Sequence, residues 1–323
     1  MTALHQRGAA LLAAMLTVTL VATFAAAAMW QQWRSIEVET AERARVQSAW
    51  ILIGALDWSR LILAEDANAG PADHLAEPWA IPLEEARLST FLAADRNVAQ
   101  VEDASTDTSD AFLSGQIIDL QSRLNLANLA NPDTEQKEAL APFTRLFTQL
   151  GLPLAELTAL AQGLRQAQAP EDSSGNAPLL PQTFDQLTWL GVSPTTLAAL
   201  APHATLLPER GTRLNINTAN AEALMAGIEG LDAAGANKLL ALRQLQHFRS
   251  LADARALLGN GVVLLDSALD VRSSYFEVRG RLRLGEVTVH ERSLVRRVDR
   301  AVTTVWRERG AAVLAGAAAS PRP

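Results

Sequence analysis

No cysteine occurs anywhere in the chain, which excludes disulfides and thiolate metal sites and suits the periplasm. An excess of positive charge is missing too. The formal net charge is −7, so no general basic field exists to hold a nucleic acid. The five histidines (His5, His74, His203, His247, His290) are scattered. None has a partner at metal-ligand spacing on a helix, so surface or capping roles are expected. Asp119, Asp172, Asp185 and Asp266 have no paired acid or nucleophile–base neighbour that spacing singles out. Each reads as part of a solvated face, and no catalytic activity is expected. At 323 residues there is room for one large domain or two modest ones.

Charge is also absent from Ala9 to Trp33. The Ala9–Met29 core is about 20 residues, enough to cross about 30 Å of hydrocarbon. Arg7 precedes it and Arg34 follows it, so flanking charge does not orient it. Two cleavage signals compete here. Arg7-Gly8 before an apolar helix is the layout that a prepilin-type peptidase cuts, between Gly8 and Ala9, leaving the apolar segment in the product. Ala25-Ala26-Ala27-Ala28 instead offers the A-x-A site of a removable secretory signal. The run is long for a signal core, and helix-favouring sequence continues beyond it. Ser35 to Glu65 contains no proline and only Gly54. Ile36, Ala44, Ile51, Ala55, Trp58 and Ile62 fall roughly on one stripe. A helix leaving a bilayer for a water-soluble domain accounts for both features.

Pro71, Pro78 and Pro82 end that pattern, and Leu75–Ala80 reads as an extended loop. Glu102–Asp110 is acidic and rich in Ser and Thr, a surface-loop composition. Gln116–Leu120 fits a strand, and from there to about Asp266 the pattern is almost wholly helical. A Pro/Gly/Ser-rich linker at Ala169–Pro181 interrupts it. Within this block Arg123–Asn128 (RLNLAN) resembles Arg213–Thr218 (RLNINT), each leading into a helix start supplied with caps. A second recurring unit places an apolar–Gly–apolar opening before a short helix. It occurs at Leu150-Gly151-Leu152, at Leu190-Gly191-Val192 and, more loosely, at Glu229-Gly230-Leu231. Related helical hairpins are the simplest reading. The tail then changes period. Phe276, Val278, Gly280, Leu282 and Leu284 alternate with Glu277, Arg279, Arg281 and Arg283, giving one apolar and one charged face. With a turn at Gly285-Glu286, strands follow at Val287–Arg297 and Ala301–Arg307. Such a meander needs a cover, and the amphipathic helix after the span can supply it.

Leu224–Arg243 resembles a helix-hairpin-helix unit. Many such units bind DNA through hairpin N–H groups aimed at a phosphate. Here the hairpin carries Glu229 and Asp232, with only Lys238 nearby, and two carboxylates repel a phosphate. A membrane-tethered, competence-type DNA-binding protein is therefore the alternative reading, and packing or protein contact the favoured one.

Taken in order, Arg7-Gly8-Ala9-Ala10-Leu11-Leu12, Asp57–Leu63 (DWSRLIL), Glu77-Pro78-Trp79-Ala80, Ile118–Leu126 (IDLQSRLNL), Leu214–Ala219 (LNINTA) and Val271–Val278 (VRSSYFEV) resemble the minor pseudopilin K family of bacterial type II secretion. The resemblance covers nearly the whole chain. It implies an α+β fold, a pilin-like N-terminal helix packed on an antiparallel sheet, with a large inserted all-α (SAM/helix-hairpin-helix-like) domain. The division it implies is a prepilin leader over 1–8, a transmembrane helix over 9–33, a pilin-like domain from 34–126 and 267–309, a helical insert over 127–266 and a flexible tail over 310–323. It implies a single-pass inner-membrane protein with its bulk in the periplasm. Cleavage falls between Gly8 and Ala9 with methylation of Ala9. The implied partners are minor pseudopilins I, J and H, the prepilin peptidase, the inner-membrane assembly platform and secreted substrates, with no nucleic acid. Pilin-like chains usually carry a glutamate fifth in the processed chain. Ala13 stands there, as is typical of K subunits, and a tip subunit has no neighbour above for that carboxylate to pair with. Many K subunits bind calcium through an acidic stretch of the helical domain. Only Glu171 and Asp172 keep acidic character in the corresponding segment, too few carboxylates for the six to eight oxygens that calcium takes, so no calcium is expected.

Overall fold

The computed structural model describes residues 6–90, 111–168, 178–258, 261–285 and 287–310. Helix α1 (Gln6–Ala69) runs unbroken for 64 residues, about 96 Å at 1.5 Å per residue. Gly70 and Pro71 stop it, since proline removes the next donor and bars its predecessor from helical geometry. The chain then turns through Ala72–Glu77 and a single 3-10 turn at Pro78–Ala80. An extended loop was expected there. The turn instead drives Trp79 into the core, edge-on to Phe276 with ring centroids 5.3 Å apart.

A five-stranded antiparallel sheet receives the second half of α1. It comprises β1 (Leu83–Arg87), β2 (Ala111–Asp119), β7 (Tyr275–Leu284), β8 (Val287–Val298) and β9 (Ala301–Gly310), ordered β1-β2-β7-β8-β9. The alternation in 275–284 sets its face as expected: Phe276, Val278, Leu282 and Leu284 are buried. Leu52, Leu56 and Leu63 of α1 complete the two apolar clusters on that face, each buried leucine contributing about 1.5–3 kcal/mol. The sheet-facing line of α1 is rotated from the stripe read in the sequence. Ile36 lies exposed before the sheet begins, and Trp58 sits at the margin. Gly115 and Gly280 face each other across β2 and β7. A Cβ on Gly280 would lie 3.0 Å from Leu52 Cδ2, and one on Gly115 would be 2.7 Å from the Arg279 carbonyl. Gly280 lets the helix settle close to the sheet, and Gly115 lets β2 lie close against β7.

The described residues between β2 and β7 build a second apolar core, and they are less purely helical than their sequence pattern suggests. Two short parallel ladders frame it, β3 (Leu124–Asn125) with β4 (Ala204–Thr205) and β5 (Leu214–Asn215) with β6 (Leu269–Asp270). Around them pack α2 (Gln136–Gln149), α3 (Leu154–Gln168), α4 (Pro194–Leu200), α5 (Ala221–Gly227), α6 (Ala233–Leu245) and α7 (Leu251–Arg255). The acidic loop read at Glu102–Asp110 lies outside the described residues, as does the expected tail apart from Gly310.

Candidate assembly surface and junction

The first turn of α1 holds Gly8 and Ala9 in helical backbone. From Leu11 to Phe24 every large apolar side chain is exposed, and a window of this helix has mean hydropathy 2.2 with none of it buried. Such a surface is matched to hydrocarbon rather than water. Trp30 and Trp33 follow, with the Arg34 guanidinium 5.9 Å from the Trp30 ring, the residue types that favour a membrane–water boundary. Farther along, Val46, Trp50 and Leu61 are 54%, 69% and 57% exposed. At 100° per residue they fall within about 60° of one another, opposite the leucines on the sheet. This apolar stripe is left uncovered by the chain's own sheet.

At the other end of α1, Asp66, Asp73 and Arg297 tie helix, loop and β8 together. Arg297 is buried; its Nη1 donates to Asp66 Oδ2 at 3.1 Å and to the Leu63 carbonyl at 3.3 Å. Its Nη2 donates to Asp73 and to the Ser273 carbonyl. Burial, then the charges of Glu77 and Asp73, push the Asp66 carboxyl up to about 6 against the pull of Arg297. Asp73 reaches across to the segment before β7, accepting from the Ser273 N–H at 2.6 Å.

Asp119 corrects the solvated-face reading. It ends β2 fully enclosed, accepting from Gln121 N, Thr218 Oγ1, Ser273 Oγ and Asn215 Nδ2. Burial raises its carboxyl to about 6, with hydroxyl donors from Thr218 and Ser273 opposing. Asp185, by contrast, lies in the first turn of a 3-10 helix, and Asp266 is an exposed partner of Arg255. Glu77 is held by the Trp79 indole N–H and the His74 amide, and burial raises its carboxyl. His74 and His247, far apart in sequence, stack at 3.7 Å, and burial lowers both their pKa values. His203 contacts Asn220, the cap of α5.

Carboxylate oxygens of Asp66, Asp73 and Glu77 come within 4.8 Å of one another, a spacing compatible with a divalent cation. The Arg297 guanidinium already supplies the positive charge between two of them. Glu171 and Asp172, the calcium candidates read in the sequence, lie outside the described residues.

The RLN repeat is a structural device used twice. Asn125 Oδ1 accepts from Ala127 N and Asn215 Oδ1 from Asn217 N. Their Nδ2 groups bridge outward, Asn125 to Glu209 O and Thr212 Oγ1, Asn215 to Ser273 Oγ and Asp119. The glycine unit recurs as well. Gly151, Gly191 and Gly230 all have positive φ, and each precedes a new helix, a geometry that side chains disfavour.

The α5–α6 hairpin is not arranged for phosphate. Asp232 caps α6 through Gly235 N, the Glu229 carbonyl pairs with Val263 N, and Gly230 packs on the Gly261 carbonyl. Lys238 spends its ammonium on the Leu257 carbonyl at 2.7 Å. The hairpin is thus carboxylate-bearing and covered by the 261–263 segment.

Arg297 was not singled out by sequence, because nothing in a strand arginine's neighbours announces two carboxylates more than 200 positions away. The LNINTA and VRSSYF segments were noticed, and the junction explains them: Asn215, Thr218 and Ser273 meet Asp119 there.

Family models described as type II secretion system, protein K, match residues 122–209 and 214–272. These two stretches are the halves of the insert, one beginning beside each RLN ladder. Type II secretion system protein K of Klebsiella pneumoniae is 25% identical, over 95% of this chain and 97% of its own. The protein of the same description from Pseudomonas aeruginosa is 26% identical, over 87% and 86%. Among solved structures, a chain of the GspK-GspI-GspJ complex of the enterotoxigenic Escherichia coli type 2 secretion system has the same fold. Its TM-score is 0.63 at 18% identity, covering 84% of this chain and 99% of that one. Sequence models over these two stretches, full-length relatives and fold agree in their likeness to type II secretion system protein K.

Proposed function

We propose that this protein is a membrane-anchored minor pseudopilin that caps the type II secretion pseudopilus and acts as an assembly subunit rather than an enzyme. The observation that carries the reading is an exposed apolar helix that continues onto the sheet into which the protein K-like insert is set. The apolar N-terminal part of α1 is compatible with a single-pass anchor. In this reading it lies in the inner membrane and the sheet and insert lie in the periplasm. Zero cysteine suits that compartment. The solved relative is a complex with GspI and GspJ; the corresponding partners here are minor pseudopilins I and J. The exposed Val46–Trp50–Leu61 stripe offers a helix-packing face to such neighbours. Minor pseudopilin H, the assembly platform and exported proteins are further partners in this reading.

Prepilin peptidase cuts between Gly8 and Ala9, and Ala9 becomes the methylated amino terminus. Ala13 places no carboxylate in the bilayer, which favours a position with no subunit above it. N-terminal sequencing of the mature chain tests this: a start at Ala9 is expected, and a start near Met29 overturns it. Gly8→Val should block processing and secretion while leaving the insert folded; normal secretion in that variant overturns the assignment.

A further inference from the structure

A polar cleft of about 420 Å³ opens at the seam between sheet and insert. Its walls come from the loop before β5 (Arg210, Arg213), the segment before β7 (Arg272) and the end of β8 (Arg296), with Glu209, Asp270 and Asp299 among them. The protein is acidic overall, at net −7, so five arginines around one cleft, counting the buried Arg297, are a local reversal of charge.

Two of these arginines have capacity to spare. Arg272 is exposed, and its side chain has no partner among the described residues. Arg296 donates from Nη2 to Glu209 at 2.8 Å, yet its Nε–H is buried with no hydrogen-bond partner. A guanidinium N–H enclosed without an acceptor leaves the positive charge of Arg296 incompletely compensated on this wall. Arg213 is committed to Asp270 at 3.0 Å, and Arg210 to Gln168 at 2.7 Å.

We propose that this cleft binds an extended, carboxylate-bearing segment of another protein. A carboxylate seated at Arg272, on the wall it shares with Arg296, would accept the free donors of Arg272 in the field of both guanidinium groups. Glu209 and Asp299, on the same walls, are acceptors for the N–H groups of a peptide backbone. A compact anion such as phosphate brings no such N–H donors to offset its repulsion from those carboxylates. A lipid headgroup is excluded by distance. Arg297, next to Arg296, bonds Asp66 of α1, and Asp66 stands about 50 Å along the helix from Trp33 at 1.5 Å per residue. The cleft volume is in the range of ligand-sized sites, about 300–1,000 Å³.

The proposal is independent of the membrane and processing assignments, and its test separates from theirs. Full-length protein in non-ionic detergent is titrated into a fluorescent Gly/Ser decapeptide carrying four glutamates, and into its glutamine counterpart, with anisotropy as the readout. The acidic peptide is expected to bind and the glutamine peptide not. Arg272→Glu should weaken binding about tenfold or more, whereas Arg43→Glu, the same charge change on an exposed turn of α1, should leave it unchanged. Arg272 makes no side-chain contact that folding depends on, so the variant should retain wild-type circular dichroism. Equal binding of the two peptides overturns the proposal, as does unchanged affinity in Arg272→Glu. Full displacement by inorganic phosphate at matched ionic strength reduces the cleft to a simple anion site and also overturns it.

Discussion

Removing Arg297 should be among the most damaging single changes to the soluble part of the molecule. Its guanidinium is buried between Asp66 and Asp73 and also holds the Leu63 and Ser273 carbonyls. It lies 4.9 Å from the Phe276 ring. Arg297→Met keeps most of the apolar stem but leaves two buried carboxylates without their cation, a change costing about 3–5 kcal/mol. The cost must depend on pH. In the folded protein Asp66 is raised to about 6 from 3.8, so between those values the folded state holds a proton that the unfolded chain has released. Stability from this group is therefore present at low pH and lost as pH rises through about 6. Taking away Arg297 raises the Asp66 pKa further, so the variant's deficit should be smaller at pH 5 than at pH 8. Urea unfolding of the full-length protein in detergent, followed by tryptophan fluorescence at both pH values, measures this. Adding Asp66→Asn and Asp73→Asn to Arg297→Met should recover at least half of the loss. A deficit below about 1 kcal/mol at pH 8, or one that is the same at pH 5 and pH 8, refutes this account of the junction.

Asp119 titrates in the same direction, raised to about 6 by burial, while the buried His74 and His247 act in the opposite sense, so the wild-type protein should lose stability relative to Asp119→Asn between pH 5 and pH 7.5; a gain relative to that variant across the window contradicts the assignment. Asn215→Ala removes the side chain that joins Ser273, Asp119 and the Asn217 N–H, and should cost about 2–3 kcal/mol. Asn125→Ala should cost a similar amount if the two RLN ladders are equivalent devices, and chemical denaturation of both variants decides it. Gly230→Ala puts a side chain at φ 77 and into the Gly261 carbonyl, for an expected loss of about 2 kcal/mol; a neutral result would mean that the hairpin and its covering segment separate easily. Trp50→Asp, at an exposed position on α1, should leave the melting temperature within a few degrees while weakening crosslinking to sibling pseudopilins. Unchanged crosslinking would remove the Val46–Trp50–Leu61 stripe from the assembly surface.

Sequence reading succeeded where a local rule acts. The period of two in 275–284 became β7, and the next strands extended a few residues beyond their expected ends, Val298 and Gly310 replacing Arg297 and Arg307. The glycine units announced three helix starts because positive φ is a local demand. It failed where the answer depends on distant chain. Leu75–Ala80 folds into a 3-10 turn because Trp79 finds Phe276, and the short ladders at Asn125 and Asn215 need partners 80 and 55 positions away. Nor did an apolar face on β7 predict that β8 would carry buried Glu291 and Arg297 beneath the helix.

The sequence by itself determined the long uninterrupted helix, its uncharged first third, the meander and the duplicated Asn units, because each follows from periodicity, the absence of breakers or the backbone needs of single residues. Tertiary structure alone decided which face of α1 is covered and which is left for a neighbour. It also turned Asp119 from a surface acid into the centre of the junction, and placed Arg297 between Asp66 and Asp73. Burial and electrostatic pairing are properties of positions in space, and residues separated by hundreds of positions acquire them only when the sheet, the helix and the insert close on one another.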